Sequence, residues 1–313
     1  MLAILCCLRK VYLNKKGIQS MPNTVGILSP GDMGHTVGNV LRENGLRVIT
    51  CLHGRSQRTH ELAEKAGIMD VPTYPQLVTE ADLILSIMVP AQAMSAAEVI
   101  AEALQQTDTT LTYTDCNAIA PQTVRKLGNV ITAAGGTFVD ASIIGPPPRT
   151  PGATRFYASG PNLDTFSELN NYGLDVRTLG DEIGHASAIK MCYASLTKGL
   201  TALCTELLTA ASLLGVSDAL TAEFQLSQSA LFERMERGLP GMPPKARRWI
   251  GEMEEISATF EHVGLTPNIL TGAADMYRFV GDTHLADLPP EARDEFPTLA
   301  ELIKILAENL KSE

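Results

Sequence analysis

Thr24-Val25-Gly26-Ile27-Leu28-Ser29-Pro30-Gly31-Asp32-Met33-Gly34 is the stretch whose reading decides the fold. Thr24 to Leu28 is a short β-branched and apolar run, which reads as a strand. The turn from Ser29 to Gly34 leads into a helix with apolar periodicity that runs to about Asn44 and stops at Gly45. Arg47 to Leu52 is a second strand. Strand, glycine-bearing turn, helix and strand within about thirty residues make a βαβ unit. Such a turn aims backbone N–H groups and a helix N-terminus at a pyrophosphate. The dinucleotide fingerprint is G-x-G-x-x-G. Gly31 and Gly34 hold its second and third places, and Ser29 holds the first. Ser29, Pro30, Gly31, Asp32, Met33 and Gly34 are therefore the expected pyrophosphate-binding residues.

The end of the second strand points to the cofactor. An NAD site usually places an acid there for the ribose 2′-hydroxyl. This chain has Leu52-His53-Gly54-Arg55-Ser56-Gln57-Arg58 and no acid. Arg55, Arg58 and the Ser56 hydroxyl can bind a 2′-phosphate through charge-assisted hydrogen bonds, so NADP(H) is the expected cofactor. Ser56 can also cap the helix that follows, and the two roles are compatible.

The alternation continues through strands at Asp82–Met88, Leu111–Asp115, Thr137–Ile143, Arg155–Ser159 and Asp175–Leu179. Helices are expected over Ala91–Leu104, after Pro121 and from about Leu163. A parallel sheet with right-handed crossovers is the economical topology. Ligands gather at strand C-terminal ends, which selects Val89, Pro90, Asn117 and Ser142 as crevice residues. Gly145-Pro146-Pro147-Pro148 breaks the pattern.

After Gly180 strand signals become scarce. A helix of about thirty residues, roughly 45 Å long, fills the stretch from Gly180 to Gly215, nearly all apolar or small, with Asp181 and Glu182 suited to its N-terminus. Lys190 stands out on it, with Ala186, Tyr193, Ala194 and Thr197 at helical offsets. Leu220–Arg237, Ala246–His262 and Leu299–Leu310 read as further helices. The expected fold is an α/β Rossmann-type domain over residues 21–180, then an all-α domain over 181–313 that begins with the long helix.

Composition sets outer limits. The 313 residues suffice for about two domains. A formal charge of −10 argues against nucleic acid and anionic membrane as partners. Six cysteines and six histidines show no metal spacing, so no metal site is expected and the thiols read as reduced, in a cytoplasmic setting. Residues 1–20 carry a short apolar run followed by basic residues, the reverse of a secretory signal. They read as a disordered extension; a mitochondrial presequence is the weaker alternative.

With these residues in view, the chain resembles the β-hydroxyacid dehydrogenase superfamily, which includes 3-hydroxyisobutyrate and 6-phosphogluconate dehydrogenases. The resemblance covers about Met21 to Leu310 and is closest to the branch whose phosphogluconate-dehydrogenase-like C-terminal domain has no settled function. Val25 to Gly34 is similar to the family's opening turn. Asp115-Cys116-Asn117-Ala118 and Asp140-Ala141-Ser142-Ile143-Ile144-Gly145 fall on its substrate segments. Gly184 to Lys190 is like its glycine-and-lysine motif, which places Lys190 on the catalytic lysine.

The resemblance implies a homodimer that moves a hydride between nicotinamide and a hydroxyl-bearing carbon of a small hydroxy acid or related carbonyl compound. Lys190 would be the general acid/base, Asn117 would hold the substrate oxygen and Tyr193 would be a second acid. Ser142, Gly145, Tyr193 and Arg248 join them as substrate residues, and Trp249 and Glu255 are further candidates. Two departures matter. Tyr193 and Ala194 stand where the family has an asparagine. Ile144-Gly145-Pro146 stands where Ser-Gly-Gly amides hold a carboxylate, and proline has no N–H to give. Two rival readings are an imine reductase, against which a cationic lysine beside an iminium speaks, and a non-catalytic NADPH-binding sensor.

Overall fold

The computed structural model describes residues 11–14, 17–20, 22–289 and 292–310. The chain divides into two compact units, Met1–Asn117 with Pro121–Ser187, and Ala118–Ala120 with Ala188–Glu313.

The first unit holds β1 (Val11–Asn14), β2 (Gly17–Ser20), β3 (Thr24–Leu28), α1 (Asp32–Glu43), β4 (Arg47–Thr50), α2 (Gln57–Lys65), β5 (Met69–Asp70), α3 (Tyr74–Glu80) and β6 (Leu83–Ser86). It continues with α4 (Ala93–Thr107), β7 (Thr112–Asp115), α5 (Pro121–Ala133), β8 (Thr137–Ile144), β9 (Arg155–Ser159), α6 (Asp164–Ser167) and β10 (Asp175–Thr178). An eight-stranded sheet runs β10-β9-β8-β7-β6-β3-β4-β5. The order reverses at β3, which lies between β4 and β6, so the C-terminal ends of β3 and β6 form the crevice in which open α/β sheets bind ligands. β3 is buried along its whole length, as expected of a strand covered on both faces.

Three expectations are corrected here. The sheet is not wholly parallel: β8 and β9 pair antiparallel, Asp140 opposite Ser159 and Ser142 opposite Tyr157. The link between them has no helix, and only a helical crossover would return the chain in the same direction. The extension expected to lack structure contains an antiparallel pair, β1 with β2, with Asn14 opposite Gly17; β-branched Val11 and Ile18 with Tyr12 favour strands there. The other residues of that segment lie outside the described ones. The domain boundary falls between Ser187 and Ala188, because Ser187 is bonded back into the sheet. Its N–H and hydroxyl both donate to Asp140, at 3.1 and 2.7 Å.

The helical unit consists of α7 (His185–Leu213) from Ala188 onward, α8 (Ser217–Ser227), α9 (Ser229–Gly238), α10 (Pro243–His262), α11 (Asn268–Gly281) and α12 (Leu299–Leu310). The single helix expected over Leu220–Arg237 is two, broken at Gln228, whose φ of −138° is not helical. Its core gathers Met191, Leu208, Phe232, Met253, Ile256, Tyr277 and Leu306. Among the described residues, no helix is long and apolar enough to cross a membrane.

Candidate functional site

The glycine-bearing turn has the geometry that a pyrophosphate cradle needs. Ser29 adopts φ +60°, a left-handed conformation that costs an L-residue about 1–2 kcal/mol. Serine thus makes the turn that the fingerprint assigns to glycine, and Gly31 N–H closes it on Ser29 O at 2.7 Å. A Cβ on Gly34 would stand 2.8 Å from Ser29 O, so α1 can approach the turn only with glycine there. Gly31 caps α1 without any side-chain hydrogen bond, which leaves the helix N-terminus to backbone donors. Met33 packs against the core beneath. Asp32 starts α1, and Arg149 Nη2 donates to its carboxylate at 2.7 Å.

At the end of β4, Gly54 turns at φ +73° and Arg55 follows. Arg55 lines a cleft of about 200 Å³ with Leu28, Tyr74, Met88, Gln92, Ser95, Ala96 and Val99. Its Nε is buried with no hydrogen-bond partner. Ser56 caps α2, its hydroxyl accepting from Thr59 N–H at 3.3 Å, and Arg58 lies in that helix's first turn, exposed. A buried guanidinium nitrogen beside an open cleft fits a phosphate-bearing nucleotide. The sequence reading missed Asp70: β5 brings its carboxylate to Leu52 N–H at 2.9 Å, so an acid does reach this strand end, from the neighbouring strand.

Asn117 is placed at the crevice, but its side chain is committed. It is 2% exposed. Its amide oxygen accepts from Met88 N–H at 2.6 Å. Its Nδ2 donates to Asp115 at 2.6 Å and to the Ser86 hydroxyl at 3.0 Å. Asn117 therefore ties the end of β7 to the turn after β6, where Val89 and Pro90 lie. Burial, with Asp140 on the adjacent strand, raises the Asp115 pKa to about 7. Burial also raises that of Asp140. Asp140 accepts from Gly184 N–H, Ser159 and Ser187, and so anchors the start of α7.

Ser142 is fully buried in β8, and its hydroxyl has no hydrogen-bond partner, so it offers no exposed surface. Gly145 has a structural task. At φ +129° a Cβ would lie 2.3 Å from Ala153 O, and the loop closes with Thr154 Oγ1 donating to Pro146 O at 2.5 Å.

In the helical unit, Lys190 is half-buried on α7. Burial, and then the Arg248 guanidinium, lower its pKa to about 8. Tyr193 on the next turn is 48% exposed. Arg248 Nε lies 3.8 Å from Glu252 Oε1, and the carboxylate of Glu255 accepts from Ala120 N–H at 2.6 Å. The sequence reading missed Lys198 and Glu252, which form an ion pair with little exposure. A second lysine two turns along an apolar helix was the available signal. Among the described residues, no group of three His, Cys, Asp or Glu is placed to hold a metal.

Two family models match the chain: the NAD binding domain of 6-phosphogluconate dehydrogenase over residues 24–168, and a domain of unknown function (DUF1932) over residues 211–280. The chain is 32% identical to MTH1747, a conserved protein of unknown function structurally similar to 3-hydroxyacid dehydrogenases, over 82% of this chain and 97% of that one, with a TM-score of 0.63. It is 26% identical, over 82% of this chain and 98% of the relative, to an uncharacterised 28.5 kDa protein of Methanothermus fervidus. The 3-hydroxyisobutyrate dehydrogenase of Mycobacterium tuberculosis shares the fold, with a TM-score of 0.65 at 17% identity over 91% of this chain and 99% of that one. The chain belongs to the β-hydroxyacid dehydrogenase superfamily of nicotinamide-dinucleotide-binding oxidoreductases, in the branch that ends in a helical domain of unknown function.

Proposed function

We propose that the protein is an NADP(H)-dependent dehydrogenase acting on the hydroxyl-bearing carbon of a small hydroxy acid or related carbonyl compound, with Lys190 as general acid/base. The observation that carries this reading is the Lys190 amine, lowered to about 8 by burial and by Arg248. A free lysine near 10.4 is too basic to exchange a proton at neutral pH; this one is poised to do so.

When bound, the nicotinamide supplies the hydride donor or acceptor. The residues of the chain do the rest. The α1 N-terminus, with Ser29, Pro30, Gly31, Asp32, Met33 and Gly34, would receive the pyrophosphate. Arg55, Ser56 and Arg58 would hold a 2′-phosphate, and Val89 and Pro90 would help hold the rest of the dinucleotide. Asn117 acts as a positioning residue that holds this turn, since its amide is spent on Met88, Asp115 and Ser86. Lys190 donates a proton to the substrate oxygen in reduction and removes it in oxidation. Tyr193 stands beside it as a second acid. A homodimer fits the exposed leucines of α7.

The test is hydride transfer between NADP(H) and a panel of 2- and 3-hydroxy acids, their oxo acids, simple ketones and cyclic imines. Turnover on hydroxy or oxo acids that Lys190→Met abolishes supports the reading. Preference for imines, or NADPH binding with no turnover on any member, overturns it.

A further inference from the structure

The glycine-bearing turn lacks part of what a pyrophosphate needs. Pro30 has no N–H to give, and Gly31 N–H is spent on Ser29 O at 2.7 Å. The donors left are those of the first turn of α1, which have no intrahelical partner. Charge is short as well. From Ser29 to Gly34 there is no lysine or arginine, and the one charged side chain, Asp32, is an acid. A carboxylate there suits the helix dipole but repels an incoming phosphate. With a formal charge of −10 on the whole chain, the cations that attract a phosphate must be local.

A cation reaches the turn from 117 residues further along the chain: Arg149 Nη2 donates to Asp32 Oδ1 at 2.7 Å. Asp32 is the first residue of α1, and helical Cα–Cβ bonds tilt towards the N-terminus. Its carboxylate, and the guanidinium bonded to it, therefore lie at the mouth of the turn. The two side chains are 54% and 37% exposed, and an ion pair this open adds little to stability. A guanidinium carries several N–H donors in a planar fork. Among the described residues, the side chain of Arg149 uses only the one that meets Asp32. The loop after β8 is built to present it. Gly145 takes φ +129°, where a Cβ would meet Ala153 O. Arg149 N–H donates to Pro147 O at 2.7 Å, and Ala153 N–H to Thr150 O at 3.2 Å. Pro146, Pro147 and Pro148 fix φ in the residues just before Arg149. A side chain presented by a preformed loop loses less freedom on binding.

We propose that Arg149 is a cofactor-binding residue, which Asp32 holds at the start of α1 and which binds the pyrophosphate of the dinucleotide. The proposal rests on the dinucleotide site described above and not on the hydride-transfer step. The donors that Asp32 leaves open are the ones offered to phosphate oxygens, as charge-assisted hydrogen bonds. Asp32 has two effects that Arg149 reconciles: it starts the helix, and its charge is answered before the cofactor arrives. The prolines after β8 gain a task as the frame that carries Arg149. Pyrophosphate is common to NADH and NADPH, so Arg149 adds affinity for both and discriminates between neither. That separates it from Arg55 and Arg58, which are assigned to the 2′-phosphate.

The test is binding, with no substrate present. NADPH and NADH are each titrated against the full-length protein, and cofactor fluorescence is read at constant ionic strength. Arg149→Met should weaken both affinities by the same factor, about tenfold or more, the loss of a hydrogen bond between charged groups. Arg149→Lys should restore part of it. In an Asp32→Asn background, Arg149→Met should still weaken both, because the guanidinium meets phosphate as well as the acid. Both side chains are partly exposed, so the variants fold, and denaturant melts check this. Unchanged affinity in Arg149→Met overturns the proposal. So does a loss confined to NADPH, which would put Arg149 at the 2′-phosphate. Full rescue of Arg149→Met by Asp32→Asn also overturns it, leaving Arg149 only to neutralise that acid. A native protein that binds neither dinucleotide fails earlier, at the cofactor site itself, and removes the dehydrogenase reading with it.

Discussion

Asp115 and Asn117 form one clamp: Asp115 Oδ1 accepts from Asn117 Nδ2 at 2.6 Å, and Oδ2 from Asn117 N–H at 3.2 Å. Asn117 in turn accepts from Met88 N–H, so a carboxylate on β7 sets the turn after β6. Burial and the nearby Asp140 raise the Asp115 pKa from 3.8 to about 7. The folded state therefore holds this proton more tightly than the unfolded chain does. The resulting stability is fully present below about 3.8 and is lost as pH rises through about 7. In thermal melts across this window, Asp115→Asn should flatten the fall in Tm of the native protein. An unchanged slope would assign it to other groups.

Ser29 predicts a gain. Its φ of +60° is a conformation that glycine adopts without strain. Ser29→Gly should raise stability by about 1 kcal/mol and leave NADPH affinity near native. Gly34→Ala should do the opposite, because its Cβ would meet Ser29 O at 2.8 Å, and backbone cannot step aside. Denaturant melts and NADPH titrations of both variants check the pair.

The α/β half was legible because each βαβ step carries local signals: β-branched runs, Gly45, Pro90 and the Ser29–Gly34 turn. The reversal at β9 was not, since strand direction depends on what connects the strands, and Gly145 to Pro148 read only as a break. Lys190, Arg55 and Ser56 could be singled out as candidates because charge or capping chemistry in a given context is visible along the chain. Asn117 was read as a substrate ligand; that its amide is spent on Met88, Asp115 and Ser86 is a tertiary fact. Glu252 and Lys198 escaped for the same reason, being 54 residues apart in sequence and in contact in the fold. Helix α11 was not expected from the sequence, although apolar residues recur along it.

In the proposed reading, cofactor choice turns on Arg55. Its guanidinium borders the cleft, while the nearest strand-end acid, Asp70, is occupied by Leu52 N–H. NADPH should bind at least about tenfold more tightly than NADH, roughly 1.4 kcal/mol. Arg55→Asp should narrow or reverse that ratio. Equal affinities in the native protein would show that the 2′-phosphate is not read.

Assembly is argued from α7. Leu196 and Leu203 on α7 are 63% and 55% exposed, and Leu214, just beyond the end of the helix, is 75% exposed; Leu200 and Leu207 between them pack partly buried against the unit's own core. Exposed leucines of this kind are what an association surface would cover, and a two-fold pair is the commonest way to do so. Light scattering should give twice the mass of the chain, and Leu203→Glu should give the mass of one. A native monomer at micromolar concentration would refute the expectation.

Lys190 carries the heaviest prediction. Its pKa falls from 10.5 to about 8, first by burial and then by Arg248. The folded state thus disfavours the charged amine: the cost is fully present below about pH 8 and is relieved as pH rises towards 10.5. Lys190→Met keeps the stem and removes the charge, so at neutral pH the variant should melt no lower than the native protein, and should gain if the burial is as costly as its pKa indicates. Turnover should nevertheless fall by about 10²–10⁴. A residue kept for stability would lose both together; one kept for chemistry trades one against the other. The pH profile gives an independent check. Reduction uses the protonated amine and should decline above about pH 8, whereas oxidation uses the neutral amine and should decline below it. Rates of the two directions on one substrate, measured from pH 6 to pH 10 (about two units either side of the expected midpoint), should therefore bend in opposite senses at a shared pKa. If Lys190→Met keeps that bend and its rate, the proton belongs to Tyr193 or to solvent.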